Sequence, residues 1–269
     1  MERIRRIETW ARLGYAARGL VYVLLGWIAL SSGRALSTGE TVKAVGDLPG
    51  GGPLLAVLAL GLFGYGLYKI YSALLDLDND GDDAKAWVVR GARLIGGLGY
   101  WLLAFIAAIQ LFKRGGSGAD AGEASGSGGA QQEAAGKVAD AAGGDILLLL
   151  VGLAVLAVAA AQFAIAWKAK FMRDMPGAPS LLKPAGQIGY AARAIIVAIV
   201  GYFLVKAGLD GDRVRGFGDA LALVRDDHEL LFKLIAAGLV LFGLVSLVMA
   251  FYRRIADDDV VARLREKAG

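Results

Sequence analysis

The sequence predicts an all-α membrane protein with six transmembrane helices, built as three parallel two-helix repeats that each carry a short outer interfacial segment. Three observations predict it. The 269 residues are 57% hydrophobic and 20% charged, with a mean hydropathy of +0.55, whereas soluble domains have about 45–50% apolar and about 25% charged residues. Six stretches reach the roughly 20 apolar residues that a helix needs to cross a hydrocarbon core of about 30 Å. A motif in the first of these stretches returns in the fifth.

The six stretches are residues 13–32, 54–75, 94–112, 146–167, 188–208 and 230–252. The first lacks a small-residue cleavage site and carries Arg18 inside it, so it reads as a retained span rather than a secretory signal. Buried helices of a soluble protein would need polar outer helices around them, and almost no sequence remains to form any. Outside the spans, sixteen Lys and Arg fall on the side of both termini, among them Arg3, Arg12, Arg90, Lys168, Arg173 and Arg253. The opposite side holds eight, among them Arg34, Lys43 and Arg225. Positive charge is retained in the cytoplasm, so both termini are expected there, in a multi-pass protein of the bacterial inner membrane.

Ala11-Arg-Leu-Gly-Tyr-Ala-Ala-Arg18 recurs as Gly186-Gln-Ile-Gly-Tyr-Ala-Ala-Arg193, and Gly26-Trp27 recurs as Gly201-Tyr202, at a constant shift of 175. The third span is a degenerate copy. Arg90 lies opposite Arg12, Gly97-Leu-Gly-Tyr100 lies opposite Gly19-Leu-Val-Tyr22, and Gly96 takes the Arg18 position. In the even-numbered spans Gly61 and Gly66 correspond to Gly152 and Ala157 and to Gly238 and Gly243. Small residues at a recurrent spacing let helices approach closely where lipid removes the hydrophobic drive.

Between the two helices of each unit lies a semi-polar stretch, 41–48, 136–142 and 217–224, expected as a short helix at the outer interface. Residues 115–129 are mostly Gly, Ser and Ala, a composition expected to stay a flexible outer loop. The units are therefore drawn at 8–80, 86–172 (with an outer loop at 113–144) and 182–256, followed by a charged cytoplasmic tail at 257–269. The tandem units, the paired Gly-Tyr-Ala-Ala-Arg motifs and the loop at 76–90 resemble DUF1206, a bacterial membrane protein family of unknown function, over residues 8–256. The resemblance implies fold and membrane location, and supplies no activity.

Charges inside a span cost about 2.5–3.5 kcal/mol near mid-bilayer by insertion scales, and five occur: Arg18, Lys69, Arg193, Lys206 and Lys233. Lys206 and Lys233 sit near span ends with Asp210 and Glu229 four residues away, an arrangement for snorkelling. Arg18, Lys69 and Arg193 share one leaflet, with Tyr15, Tyr190, Tyr65, Tyr68 and Tyr71 nearby in sequence. If the units surround a common axis, the three cations converge as a basic pocket for an anionic lipid head group or solute, with Tyr15 and Tyr190 supplying hydroxyls. Snorkelling, or pairing with Asp76, is the bland alternative. Asp76, Asp78, Asp80 and Gly81 fit positions 1, 3, 5 and 6 of a calcium loop, but position 12 is Trp87 where a bidentate Glu is needed. That leaves a weak metal candidate.

No enzymatic activity is expected. One His, His228 in an acidic run, and no Cys leave no ordinary zinc or iron–sulfur site. Neither a phosphate loop, a His-Glu-x-x-His pair nor a serine elbow is present. No cofactor is expected, and a net charge of +4 is too mild to imply nucleic acid. Membrane lipids, anionic ones included, are the expected partners, and a homo-oligomer is left open. Two functions remain: a non-catalytic envelope component, or a small-solute or ion transporter or channel on parallel repeats. Span centres made of Leu, Val, Ala, Gly, Ile and aromatics favour the first.

Overall fold

The computed structural model describes residues 2–75, 84–115, 144–210 and 215–252. These form α1 (Glu2–Ser32), α2 (Thr38–Asp47), α3 (Gly51–Leu75), α4 (Ala84–Gly115), α5 (Gly144–Trp167), α6 (Leu182–Asp210), α7 (Phe217–Asp227) and α8 (Glu229–Tyr252), with a 3-10 turn at Lys170–Asp174. Among the described residues there is no strand. Six of the helices are long and apolar enough to cross a membrane, and each contains one of the six expected spans. The prolines do not interrupt them. Pro53 and Pro184 fall in the first turns of α3 and α6, where the missing N–H had no helical partner to lose.

The short helices follow local rules. Ser37 caps α2: its Oγ accepts from Glu40 N at 3.2 Å, and Glu40 Oε2 accepts from Ser37 N at 2.6 Å, which closes a capping box. Gly216 opens α7, its N–H donating to Asp219 Oδ2 at 3.1 Å. These two helices occupy the places expected for the first and third interfacial segments. The second (136–142), the Gly-rich loop at 115–129, the acidic loop at 76–83 and the tail at 257–269 lie outside the described residues.

The long helices pack as a row in the order α4–α3–α1–α8–α6–α5. Burial follows the row. In the most apolar part of each span, 56% of residues are buried in α1 and α8, 44% in α3 and α6, and 28% and 22% in α4 and α5. Outward residues such as Trp27, Leu60, Phe105 and Leu234 are exposed and apolar, as a lipid solvent requires.

Glycine contacts set the seams. A Cβ on Gly243 would stand 2.6 Å from Val23 N and 2.7 Å from Gly19 O, and one on Gly26 would stand 2.6 Å from Ala236 O, so α1 and α8 touch backbone to backbone. Gly66 meets Gly97 O between α3 and α4 in the same way, at 2.8 Å. Between α1 and α3, Gly61 lies against Ala17 and Leu13 O; between α6 and α8, Gly238 lies against Ala192 and Ile188 O. Gly152 breaks the expected correspondence, for it packs on Val205 and Leu204 of α6.

At the end of the bundle where α1 stops, α2 rests on α1, α3 and α4, while α7 rests on α6 and α8. Thr41, Val42, Ala220 and Leu221 are fully buried beneath them. At the other end the chain leaves α5 through Ala169, which is left-handed with φ 47°, and folds Phe171 under α6. There Phe171 stacks on Tyr190 at 5.2 Å, in space that only the missing side chain of Gly186 provides.

Candidate functional site

Arg18 projects from the middle of α1 into the bundle and is 7% exposed. Its Nη1 donates to Tyr65 Oη of α3 at 2.7 Å, and its Nη2 donates to Ser246 Oγ of α8 at 2.9 Å, with Met249 Sδ at 3.9 Å. The guanidinium lies 4.8 Å, 5.2 Å and 4.9 Å from the ring centres of Tyr15, Tyr65 and Phe242. Ring faces stabilise a desolvated cation by about 2 kcal/mol, but they do not satisfy its N–H groups. The Nε–H of Arg18 is buried with no hydrogen-bond partner.

Arg193 of α6 is half-buried. Its Nε donates to Tyr22 Oη of α1 at 2.9 Å, and its Nη1 makes a short hydrogen bond to Gln162 Oε1 of α5. It lies 5.7 Å from the Tyr22 ring centre and 5.4 Å from that of Phe242. Lys69 of α3 completes the group, with Nζ 5.5 Å from the Tyr65 ring centre. Its stem runs along α4, where Cβ atoms on Gly96 and Gly97 would come 3.6 Å from Cδ and 3.4 Å from Cβ of Lys69. Lys69 is within Coulombic reach of both Arg18 and Arg193, and Arg193 of Arg18.

The structure thus brings together the three cations that the sequence singled out. Tyr15 lies under Arg18, and Tyr190 donates its hydroxyl to Met249 Sδ at 3.9 Å, the sulfur that Arg18 also reaches. Tyr100 of α4 closes the group on one side, edge-on to Tyr65 at 4.5 Å and within Coulombic reach of both arginines. The two guanidinium groups donate to hydroxyls, a thioether and an amide oxygen, none of which carries a formal charge. Asp76, Asp78 and Asp80 lie outside the described residues, and among those residues no cluster of His, Asp or Glu could hold a metal ion. Lys233 pairs with Glu229 at 2.6 Å on the exposed surface, as its spacing suggests.

Sequence reading missed Tyr22, Tyr100, Gln162, Phe242, Ser246 and Met249. Gln162 and Ser246 had a usable signal, since each is a lone polar residue well inside an apolar span, and such residues face protein rather than lipid. The aromatic and Met residues carried none, because they also serve as ordinary apolar packing.

The family model described as Domain of Unknown Function (DUF1206) matches residues 13–76 and again residues 188–253. The chain is similar to this family over those two stretches, which together make up a little under half of its length. Uncharacterized protein YxxB of Bacillus subtilis (strain 168) is 29% identical over 263 residues, covering 93% of this chain and 92% of that one. No solved structure matches. All three cations fall inside the matched stretches, Arg18 and Lys69 in the first and Arg193 in the second. Tyr100 and Gln162 come from the unmatched middle of the chain, so the site is assembled from both kinds of segment.

Proposed function

We propose that this protein, similar to DUF1206 at both ends of the chain, is a non-catalytic component of the bacterial inner membrane, with both termini cytoplasmic, that holds an anionic group at the inner leaflet. An anionic lipid head group is the candidate. The observation that carries the reading is the convergence of Arg18, Arg193 and Lys69 on groups that bring no formal negative charge, with one Arg18 N–H unmet. A buried cation without a counter-charge is costly, and an oxyanion would supply both the charge and the missing acceptor.

We read the fold as three two-helix units: α1 with α3, α4 with α5, and α6 with α8. Supporting this, the seam of Gly61 on Ala17 and Leu13 is remade by Gly238 on Ala192 and Ile188, and the family matches the first and last of these pairs. The transporter alternative asks for a polar path through the bundle. Between the cations and α7 the residues are Leu25, Ala29, Leu221, Phe232, Ile235 and Leu239, all buried, which favours a holding site over a path.

The test is native mass spectrometry of protein released from mild detergent, beside the Arg18→Ala, Arg193→Ala double variant. An anionic adduct on the wild type that the double variant loses is the expected result. Bare protein in both samples would overturn the reading.

A further inference from the structure

Taken as a ring, the three units would make six neighbouring seams: α1–α3, α3–α4, α4–α5, α5–α6, α6–α8 and α8–α1. Five are packed, and among the described residues α4 and α5 share no extensive contact. The site lies toward that gap. Tyr100 reaches it from α4 and Gln162 from α5, and the two helices flanking the gap are the least buried of the six. On α4 there is room as well: a Cβ on Gly96 would meet only the stem of Lys69, and one on Gly99 would meet nothing within 4 Å. Both helices also carry exposed apolar residues, Ile95 and Leu98 on α4 and Leu150, Leu153 and Phe163 on α5. Meanwhile α2 and α7 cover one end of the bundle.

We infer that the anion is the head group of a membrane lipid that enters sideways between α4 and α5, its chains lying against the apolar edges of those helices and its phosphate reaching Arg18, Arg193 and Lys69. The inference rests on the anion reading above and adds the source and the route. Charge complementarity selects the occupant. A cationic site beside an apolar slot open to the bilayer matches a molecule that has an anionic head and two hydrocarbon tails, whereas inorganic phosphate or a small carboxylate has nothing to place in the slot. The degenerate middle unit supplies the opening, because Gly96 stands where the first and third units carry Arg18 and Arg193.

The experiment uses the full chain in nanodiscs of phosphatidylcholine with a minority of phosphatidylglycerol, part of it carrying a photoreactive acyl chain. Retained phosphatidylglycerol is counted by native mass spectrometry, and crosslinked peptides are mapped. In the wild type, crosslinks fall on residues 95–105 and 147–163, and millimolar inorganic phosphate leaves the bound lipid in place. Gly99→Trp, placed in open space, lowers retained phosphatidylglycerol at least tenfold while the melting temperature stays within a few degrees. Crosslinks confined to other helices would overturn the lateral route, and they need no variant to fold. Displacement by inorganic phosphate, unaffected by Gly99→Trp, would assign the site to a soluble anion entering by an end. A dimer sealing α4–α5 without lipid would also overturn the inference. If no anion binds in any form, the anion reading itself fails, a result distinct from the others.

Discussion

The seam between α1 and α8 and the edge formed by α4 and α5 are written in the same residues, and they behave oppositely. Gly19, Gly26 and Gly243 bring two backbones into contact, so that added Cβ atoms would press on carbonyl oxygens. Gly91 and Gly99 of α4 have nothing within 4 Å of where a Cβ would stand. A glycine in an apolar span therefore does not announce close packing; its partner decides. In a bilayer, association depends on fitted surfaces rather than on escape from water, so a small residue without a fitted partner simply leaves room.

The comparison breaks most readily at the seam. Gly243→Leu would force a branched side chain onto the Gly19 carbonyl and the Val23 backbone, which cannot yield as a flexible side chain would. Overpacking of this kind costs about 1–3 kcal/mol even where neighbours relax, and the central pair of the row has least freedom to relax. We expect loss of the monodisperse peak in detergent, read by size-exclusion chromatography. A folded Gly243→Leu protein with an unchanged melting temperature would mean that α1 and α8 are not locked together.

A smaller effect, of opposite sign, tests what the site does inside the tight region. Arg18 is surrounded by aromatic rings and donates to neutral groups, while Ser246 already donates to Phe242 O at 2.7 Å and loses little if the guanidinium goes. Replacing a whole buried ion pair by apolar side chains is commonly neutral or stabilising by about 1–4 kcal/mol, and the groups that Arg18 would leave behind are neutral. Arg18→Met should therefore keep or raise the melting temperature of lipid-stripped protein while removing the anion adduct. A fall of several degrees would make Arg18 a structural strut, its hydrogen bonds to Tyr65 and Ser246 worth more than the charge costs.

Much of the architecture was legible because it depends on composition and period. The six spans, the helices at α2 and α7, and the seams of Gly61 and Gly238 follow from apolar runs, the semi-polar stretches between them and a repeated motif. Arg18, Lys69 and Arg193 were legible because a charge inside an apolar run is conspicuous. The missing seam was not. Gly152 of α5 stands at the spacing of Gly61 and Gly238, yet it packs on α6. Sequence spacing places a residue on a helix face without saying which neighbour that face meets. Tyr22 and Tyr100 escaped for a related reason: a tyrosine buries its ring anywhere in the core, and only the assembled helices bring its hydroxyl or ring to an arginine.

The smallest predicted effect sharpens the comparison at its open side. Gly99→Ala adds one methyl where no atom lies within 4 Å, so it gains helix propensity and loses unfolded-state entropy without a clash. Such replacements stabilise by about 0.4–1 kcal/mol, and a protein of this length shifts by roughly 2–4 °C per kcal/mol. A rise of one to three degrees, by roughly that scale, is the expected result in lipid-stripped detergent. The same change at Gly243 meets backbone at 2.6 Å and should lower the melting temperature. The sign at residue 99 then reports the state of the gap, since a methyl can only destabilise there if α5, a second copy or another segment already fills the space. Measuring both alanine variants in one preparation therefore compares the closed seam with the open edge by a single methyl group, without disturbing a cation.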